Sequence, residues 1–217
     1  MVGLATTLGS GAMTNSIADL KEADLYLVTG SNTTETHPVI GMLLRHRARF
    51  NGSKIIVVDP RKIDLVEEAS LFLQPKPGDD IVWLNGLAHI IIKENLYHRS
   101  FIEQHTEGFE ALKEKVSRFT PEYVEGITGI PKDLLVKAAR LYATSKNAAI
   151  LYCMGITQHS TGTDAVKALS NLALLCGQLG KPGSGVNPLR GQNNVQGACD
   201  MGCLPTVYPG YQGVSLK

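Results

Sequence analysis

Arg190 stands inside a run, Asn187 to Gly202, that reads NPLRGQNNVQGACDMG. Sixteen positions hold one guanidinium, a Gln192-Asn193-Asn194 run, three glycines and an acid, with few side chains able to fill a core. Amides supply donors and acceptors together, and glycines let the backbone come close to a ligand. A guanidinium keeps its charge at any working pH and grips a carboxylate with two parallel N–H groups. The chemistry these residues suit is the binding of something large and polar, with an anion near the arginine.

Four other places share that character, and each follows an apolar run. LYLVT ends in Gly30-Ser31-Asn32, with Glu35 and His37 close behind; IIVV ends in Asp59-Pro60-Arg61. LFLQ is followed by Pro77-Gly78-Asp79-Asp80, and AAILYCM by Gly155-Ile156-Thr157-Gln158. Carboxylates at strand ends suit ribose hydroxyls or the N–H edge of guanine, while glycines and small hydroxyls let backbone donors reach a pyrophosphate. Taken singly each has a plainer reading. Asp59-Pro60 is a strand stop and helix cap, Gly30-Ser31-Asn32 is ordinary turn chemistry, and His37 before Pro38 caps or packs a helix start. GSNTTETH is no G-x-G-x-x-G, so a standard nicotinamide loop is disfavoured. His159 is open to either reading, and His46, His89, His98 and His105 read as structural.

The elements that must hold these loops follow from periodicity. Short strands are expected at Leu25–Thr29, Ile55–Val58, Leu71–Gln74 and Ala148–Met154; Ile55–Val58 is apolar on every residue, and such a strand is covered on both faces, the mark of a parallel sheet. Helical spacing is expected over 12–22 behind a Ser10 cap, and over 38–50, 81–95, 100–117, 131–145 and 166–179. The alternation predicts an α/β fold: an open, mostly parallel, doubly wound (Rossmann-like) sheet with helices on both faces, plus an irregular C-terminal segment after Gly180. In such a sheet ligands bind beyond the carboxyl ends of the strands, where all the unusual residues fall.

With 217 residues, 43% of them hydrophobic, the chain can bury a real core, and 21 Lys+Arg against 20 Asp+Glu offers no basic excess for nucleic acid. Two basic clusters, Arg45 to Arg49 and Lys113/Lys115, read as solvated helix faces. No apolar run is long enough for a membrane span. Cys153, Cys176, Cys199 and Cys203 lack the C-x-x-C spacing of a zinc or redox pair and read as thiols of a reducing, cytoplasmic setting, with no metal ligand among them.

The segments ADLYLVTGSNTTETHPV, KIIVVDPRK, CMGITQHSTG and LLCGQLGKPGSGVNPLRGQNNVQGACDMG, with PTVYPGYQ after them, resemble the catalytic subunit of molybdenum- or tungsten-dependent formate dehydrogenase. That enzyme is a molybdopterin oxidoreductase related to dimethyl sulfoxide reductase. Asp-Pro-Arg and Gly-x-x-Gln occur across the superfamily, whereas RGQNNVQGACDMG is characteristic of the formate enzymes. The resemblance implies bis-molybdopterin guanine dinucleotide carrying Mo or W, and formate as substrate. Arg190 matches the active-site arginine. Cofactor contacts are implied for Gly30, Ser31, Asn32, Glu35 and His37; for Val58, Asp59, Pro60 and Arg61; and for Pro77, Gly78 and Asp80. Met154, Gly155, Thr157 and Gln158 complete them on the next strand, and Gly191, Gln192, Asn193 and Asn194 on the last segment. The family's [4Fe–4S] motif and its metal-ligating cysteine or selenocysteine have no counterpart here. The resemblance therefore implies a piece of a longer subunit, with residues 1–191 the cofactor-binding domain and 192–217 the start of the adjoining one. Its partners would be the remaining domains and electron-transfer subunits. A nitrate reductase of the same superfamily and a non-catalytic nucleotide-binding module are the alternatives.

Overall fold

The computed structural model describes residues 2–204 and 207–214. In chain order, helix α1 (Val2–Leu8) precedes strand β1 (Leu25–Thr29), then the one-turn α2 (Thr33–Thr36), α3 (Pro38–Asn51), β2 (Lys54–Val58) and β3 (Leu71–Leu73). A helical block follows: α4 (Asp80–Lys93), α5 (Arg99–His105), α6 (Phe109–Val116), α7 (Pro121–Thr128) and α8 (Lys132–Thr144). The chain then forms β4 (Ala148–Tyr152), α9 (Met154–Thr157), α10 (Gly162–Leu175), β5 (Gly185–Pro188), α11 (Val195–Asp200) and two short strands, β6 (Val207–Tyr208) and β7 (Gln212–Gly213).

β1 to β5 form one sheet in the order β3-β2-β1-β4-β5, with every neighbouring pair parallel. The doubly wound expectation holds, and every ladder of this sheet is parallel rather than most of them. Alternate residues of each strand enter opposite cores, as a two-residue repeat requires. Leu25, Leu27, Ile56, Val58, Ile150 and Tyr152 pack toward Trp83, Leu87, Leu135 and Leu169. Tyr26, Val28, Ile55, Val57 and Leu151 pack toward Leu20, Ile40, Leu44 and Leu65 on the other face. The strand order reverses between β1 and β4, so a crevice opens at their carboxyl ends.

Four expectations need correction. Residues 12–18 are not helical, and only Asp19–Glu22 makes a 3₁₀ turn. Thr14 instead exchanges bonds with the β5 edge: its N–H donates to the Val186 carbonyl (3.3 Å) and its hydroxyl accepts from the Val186 N–H (2.9 Å). Residues 100–117 are two helices, divided at Gly108, whose φ of 75° is the left-handed conformation glycine tolerates best. β5 is a strand within the stretch expected to be irregular. The Arg45–Arg49 cluster is not simply solvated, because Arg45 and Arg49 both reach Glu68.

Among the described residues no helix is long and apolar enough to cross a membrane.

Candidate functional site

The crevice is held closed at its base by two glycines. Gly30 follows β1 with φ 56°, and the Gly155 N–H donates to its carbonyl at 3.0 Å. A Cβ on Gly155 would lie 2.6 Å from Gly30 Cα, and one on Gly30 would lie 2.6 Å from the Ile156 nitrogen. Both atoms met are backbone, so no side chain can move aside. Only bare backbone at both positions lets the β1 and β4 loops meet.

On the β2–β3 side the site carries acids. Asp59 is buried at the end of β2, and its Oδ1 accepts from the Arg61 N–H at 2.9 Å, closing an Asx turn. Desolvation holds its carboxyl above the ordinary aspartate range, with the Arg61 N–H and charge pulling the other way. Pro60 and Arg61 are exposed, and the Pro60 carbonyl accepts from Gln74 at 2.7 Å. Val58, just before, is core. Beyond β3, Gly78 turns with φ 92° into the start of α4. Asp80, in the first turn, is likewise raised mainly by desolvation; the Trp83 indole N–H (3.4 Å) and His159 (Nε2 to Oδ2, 3.9 Å) oppose that shift. His159 thus joins the β4 loop to the acidic side.

On the β1 loop, the Ser31 and Thr33 hydroxyls share a buried hydrogen bond of 2.9 Å. The Asn32 carbonyl accepts from the Glu35 and Thr36 N–H groups (3.1 and 3.0 Å). Glu35 is exposed. Both ring nitrogens of His37 face protein atoms, Nδ1 the Thr36 hydroxyl at 2.8 Å and Nε2 the Arg190 carbonyl at 2.6 Å.

On the β4–β5 side, Leu189 extends the ladder by donating its N–H to the Tyr152 carbonyl at 2.8 Å, which carries Arg190 to the crevice rim. One terminal nitrogen of Arg190 donates to the Gly11 carbonyl at 2.6 Å. Burial pushes the Tyr152 phenol up, opposed by the charge of nearby Arg190. A cavity of about 190 Å³ gathers Met154, Thr157, Gln158, Arg190, Gly191 and Gln192. Its neighbour, of about 360 Å³, brings His37 together with Arg190, Gln192 and Asn194. Gly155, Gln192, Asn193 and Asn194 are exposed, and Asn194 opens α11 in the left-handed region with φ 51°.

Residues named from sequence thus gather in two groups: Asp59, Pro60, Arg61, Pro77, Gly78 and Asp80 around the β2–β3 ends, and the Met154–Gln158 and Arg190–Asn194 stretches around β4–β5. The β1 loop lies between them. Sequence reasoning missed Tyr152 and Cys153, which line the smaller cavity, and Gly11, the partner of Arg190. Tyr152 had a signal, as the last residue of its strand. Gly11 had none, standing 179 positions away.

Residues 4–217 match the molybdopterin oxidoreductase family. The chain is 52% identical over 214 residues to the F420-dependent formate dehydrogenase subunit alpha of Methanocaldococcus jannaschii, covering 99% of this chain and 32% of that protein. It is 49% identical to formate dehydrogenase H of Escherichia coli, covering 99% of this chain and 30% of that protein. Among solved structures, acetylene hydratase from Pelobacter acetylenicus aligns with a TM-score of 0.71 at 30% identity, over 81% of this chain and 24% of that one. The chain spans about a third of the length of the curated relatives it matches. By its sequence match and by the parallel sheet beneath its crevice, this chain belongs to the molybdopterin oxidoreductase family.

Proposed function

We propose that this chain forms the guanosine-holding α/β unit and part of the substrate wall of a formate dehydrogenase whose cofactor is bis-molybdopterin guanine dinucleotide charged with Mo or W. The observation that carries the reading is the identity of 49–52% to formate dehydrogenase alpha subunits across 99% of the chain.

The donor set fits such a group. Asp59 and Asp80 are desolvated carboxylates, able to accept from guanine N1–H and its amine or from ribose hydroxyls. Gly30 and Gly155 bring the β1 and β4 loops into backbone contact beneath the crevice, so that both loops can reach one ligand. Thr157, Gln158 and Gln192 to Asn194 offer hydroxyl and amide groups to the pterin side. When bound, the metal centre would supply the acceptor for the two electrons released as formate becomes carbon dioxide and a proton. Arg190 contributes a fixed charge and the remaining N–H groups of its fork to hold the carboxylate of formate. An iron–sulfur cluster, the other domains of the subunit and electron-transfer subunits would complete the path. The four cysteines, none in a disulfide, accord with a reducing, cytoplasmic setting. Residues 192–217 would begin the adjoining domain.

The test is formate-dependent dye reduction by the metal-loaded enzyme that contains this chain, with nitrate run beside it. Formate turnover supports the reading. Nitrate turnover without formate turnover moves the assignment to the other branch of the superfamily.

A further inference from the structure

The β1 loop and the arginine segment are joined by one short hydrogen bond, His37 Nε2 to the Arg190 carbonyl at 2.6 Å. A carbonyl only accepts, so Nε2 must carry a hydrogen. Nδ1 faces the Thr36 hydroxyl at 2.8 Å, and that hydroxyl also lies 3.0 Å from the Asn32 carbonyl. With one ring proton, Thr36 donates to Nδ1. With two, Nδ1–H donates to Thr36, whose own hydrogen turns to Asn32. The bond to Arg190 survives either way.

That bond fixes more than a carbonyl. The Arg190–Gly191 peptide is trans and planar, so its C=O and N–H point in opposite directions. His37 lines the 360 Å³ cavity, and Gly191 lines the 190 Å³ cavity with Thr157 and Gln158. Pinning the carbonyl toward His37 therefore turns the Gly191 N–H away from His37, and Gly191 lines the second cavity, which Arg190 lines as well. Among the described residues that N–H has no backbone acceptor. Glycine has no Cβ to resist rotation of the peptide, so the plane needs an outside hold.

We propose that His37 is a positioning residue that locks the Arg190–Gly191 peptide plane, so that the Gly191 N–H and the Arg190 guanidinium face one small oxyanion together. The lock stands on the geometry above; its oxyanion being formate rests on the proposed function.

The experiment is NMR on the isotope-labelled 217-residue chain, without ligand and then titrated with sodium formate. Long-range ¹H–¹⁵N spectra should show His37 protonated at Nε2; a ring protonated at Nδ1 alone would overturn the lock without any variant. His37→Gln retains an N–H donor and should keep the Arg190 carbonyl and Gly191 amide signals near their wild-type positions. His37→Phe should displace or broaden both. Unchanged signals in a folded His37→Phe also overturn the lock. Formate should shift the Gly191 amide in wild type and His37→Gln, and bind roughly ten-fold more weakly to His37→Phe, the effect of about one hydrogen bond. If formate shifts nothing in wild type, the formate reading of the crevice fails, while the ligand-free spectra still decide the lock.

Discussion

On the β2–β3 side of the crevice the strand ends carry carboxylates that have lost water, Asp59 and Asp80, while the β4–β5 side carries amides, hydroxyls and one guanidinium. The first side is prepared to accept hydrogens and the second mostly to donate them to an anion. A ligand that satisfies both must itself be divided, with an N–H-rich end and an anionic end. The glycine pair between them sets how closely the two halves approach. On the proposed function, the contrast makes the order of the strands the determinant of which end of the ligand lies on which side.

The comparison breaks most completely at its hinge. Gly155→Ala places a Cβ 2.6 Å from Gly30 Cα and 2.8 Å from its carbonyl oxygen, neither of which can yield without moving the sheet. Overpacking against backbone should cost about 3 kcal/mol, read as a lower urea midpoint, with ligand binding on both sides lost together. Gly126→Ala is the control. That site has open space around it and lies within α7, so the exchange should stabilise by about 0.5–1 kcal/mol.

Arg190→Lys tests the donating side alone. Lysine keeps the charge and loses the fork, and one charge-assisted hydrogen bond contributes about 1.5–3 kcal/mol. In the loaded enzyme kcat/KM for formate should fall about ten- to a hundred-fold with normal metal content. Because Arg190 also holds the Gly11 carbonyl, a matching fall in metal content and activity would show that it braces the loop instead.

Asp59 tests the accepting side. The chain should bind GDP in preference to ADP by roughly ten- to a hundred-fold, the worth of a hydrogen bond to a charged group, and Asp59→Asn should abolish the preference. Equal binding by wild type would remove Asp59 from base recognition.

The smallest effect is on the ligand-free chain. Desolvation raises the Asp59 pKa in the fold, so the folded state holds its proton more tightly than the unfolded state does. Stability then falls as pH rises from the unfolded value, 3.8, through the folded one, and the cost is complete at neutral pH. Asn keeps the oxygen that accepts from Arg61. Asp59→Asn should therefore raise the midpoint modestly at pH 7 and leave it unchanged below pH 3.8, measured as urea curves at both pH values.

Much of this was legible in the residues. Leu25–Thr29 reads as a strand because an apolar run, Leu25 to Val28, ends in a β-branched Thr29 just before Gly30, and the structure gives those bounds. α3 announces itself by Pro38 at its first turn and by Gly52, which ends it in the left-handed region. α7 carried equally plain signals, a Thr120 side chain capping the Tyr123 N–H, Pro121 and Gly129, but its eight residues are easily read as a link between longer helices. β5 was harder: Gly185, Asn187 and Pro188 contradict strand propensity, and the strand exists because β4 presents a ladder to it. Residues 12–18 show helical spacing yet lie against the β5 edge, a tertiary pairing no local pattern could announce. In the site, types and strand-end positions named the residues, while the partners of His37 and Arg190 depend on contacts 153 and 179 positions apart.

The place of β1 in the middle of the sheet has a consequence for the order of assembly. On one side its neighbour follows after a loop of modest length, as Ser53 bonding back to Ala23 across 30 positions shows. On the other side its neighbour begins at Ala148, and Asn147 just before it bonds to Asp24 across 123 positions. Closing the longer loop costs more chain entropy before any contact rewards it, and distant pairings form slowly. The β1–β2 unit is therefore expected to form first, and the β1–β4 ladder, with the Gly30–Gly155 contact at its end, to close late. During synthesis Asp59, at the end of β2, emerges well before the guanidinium side of the crevice is made. In native-state hydrogen exchange the Gly155 amide should open before those in the middle of β2.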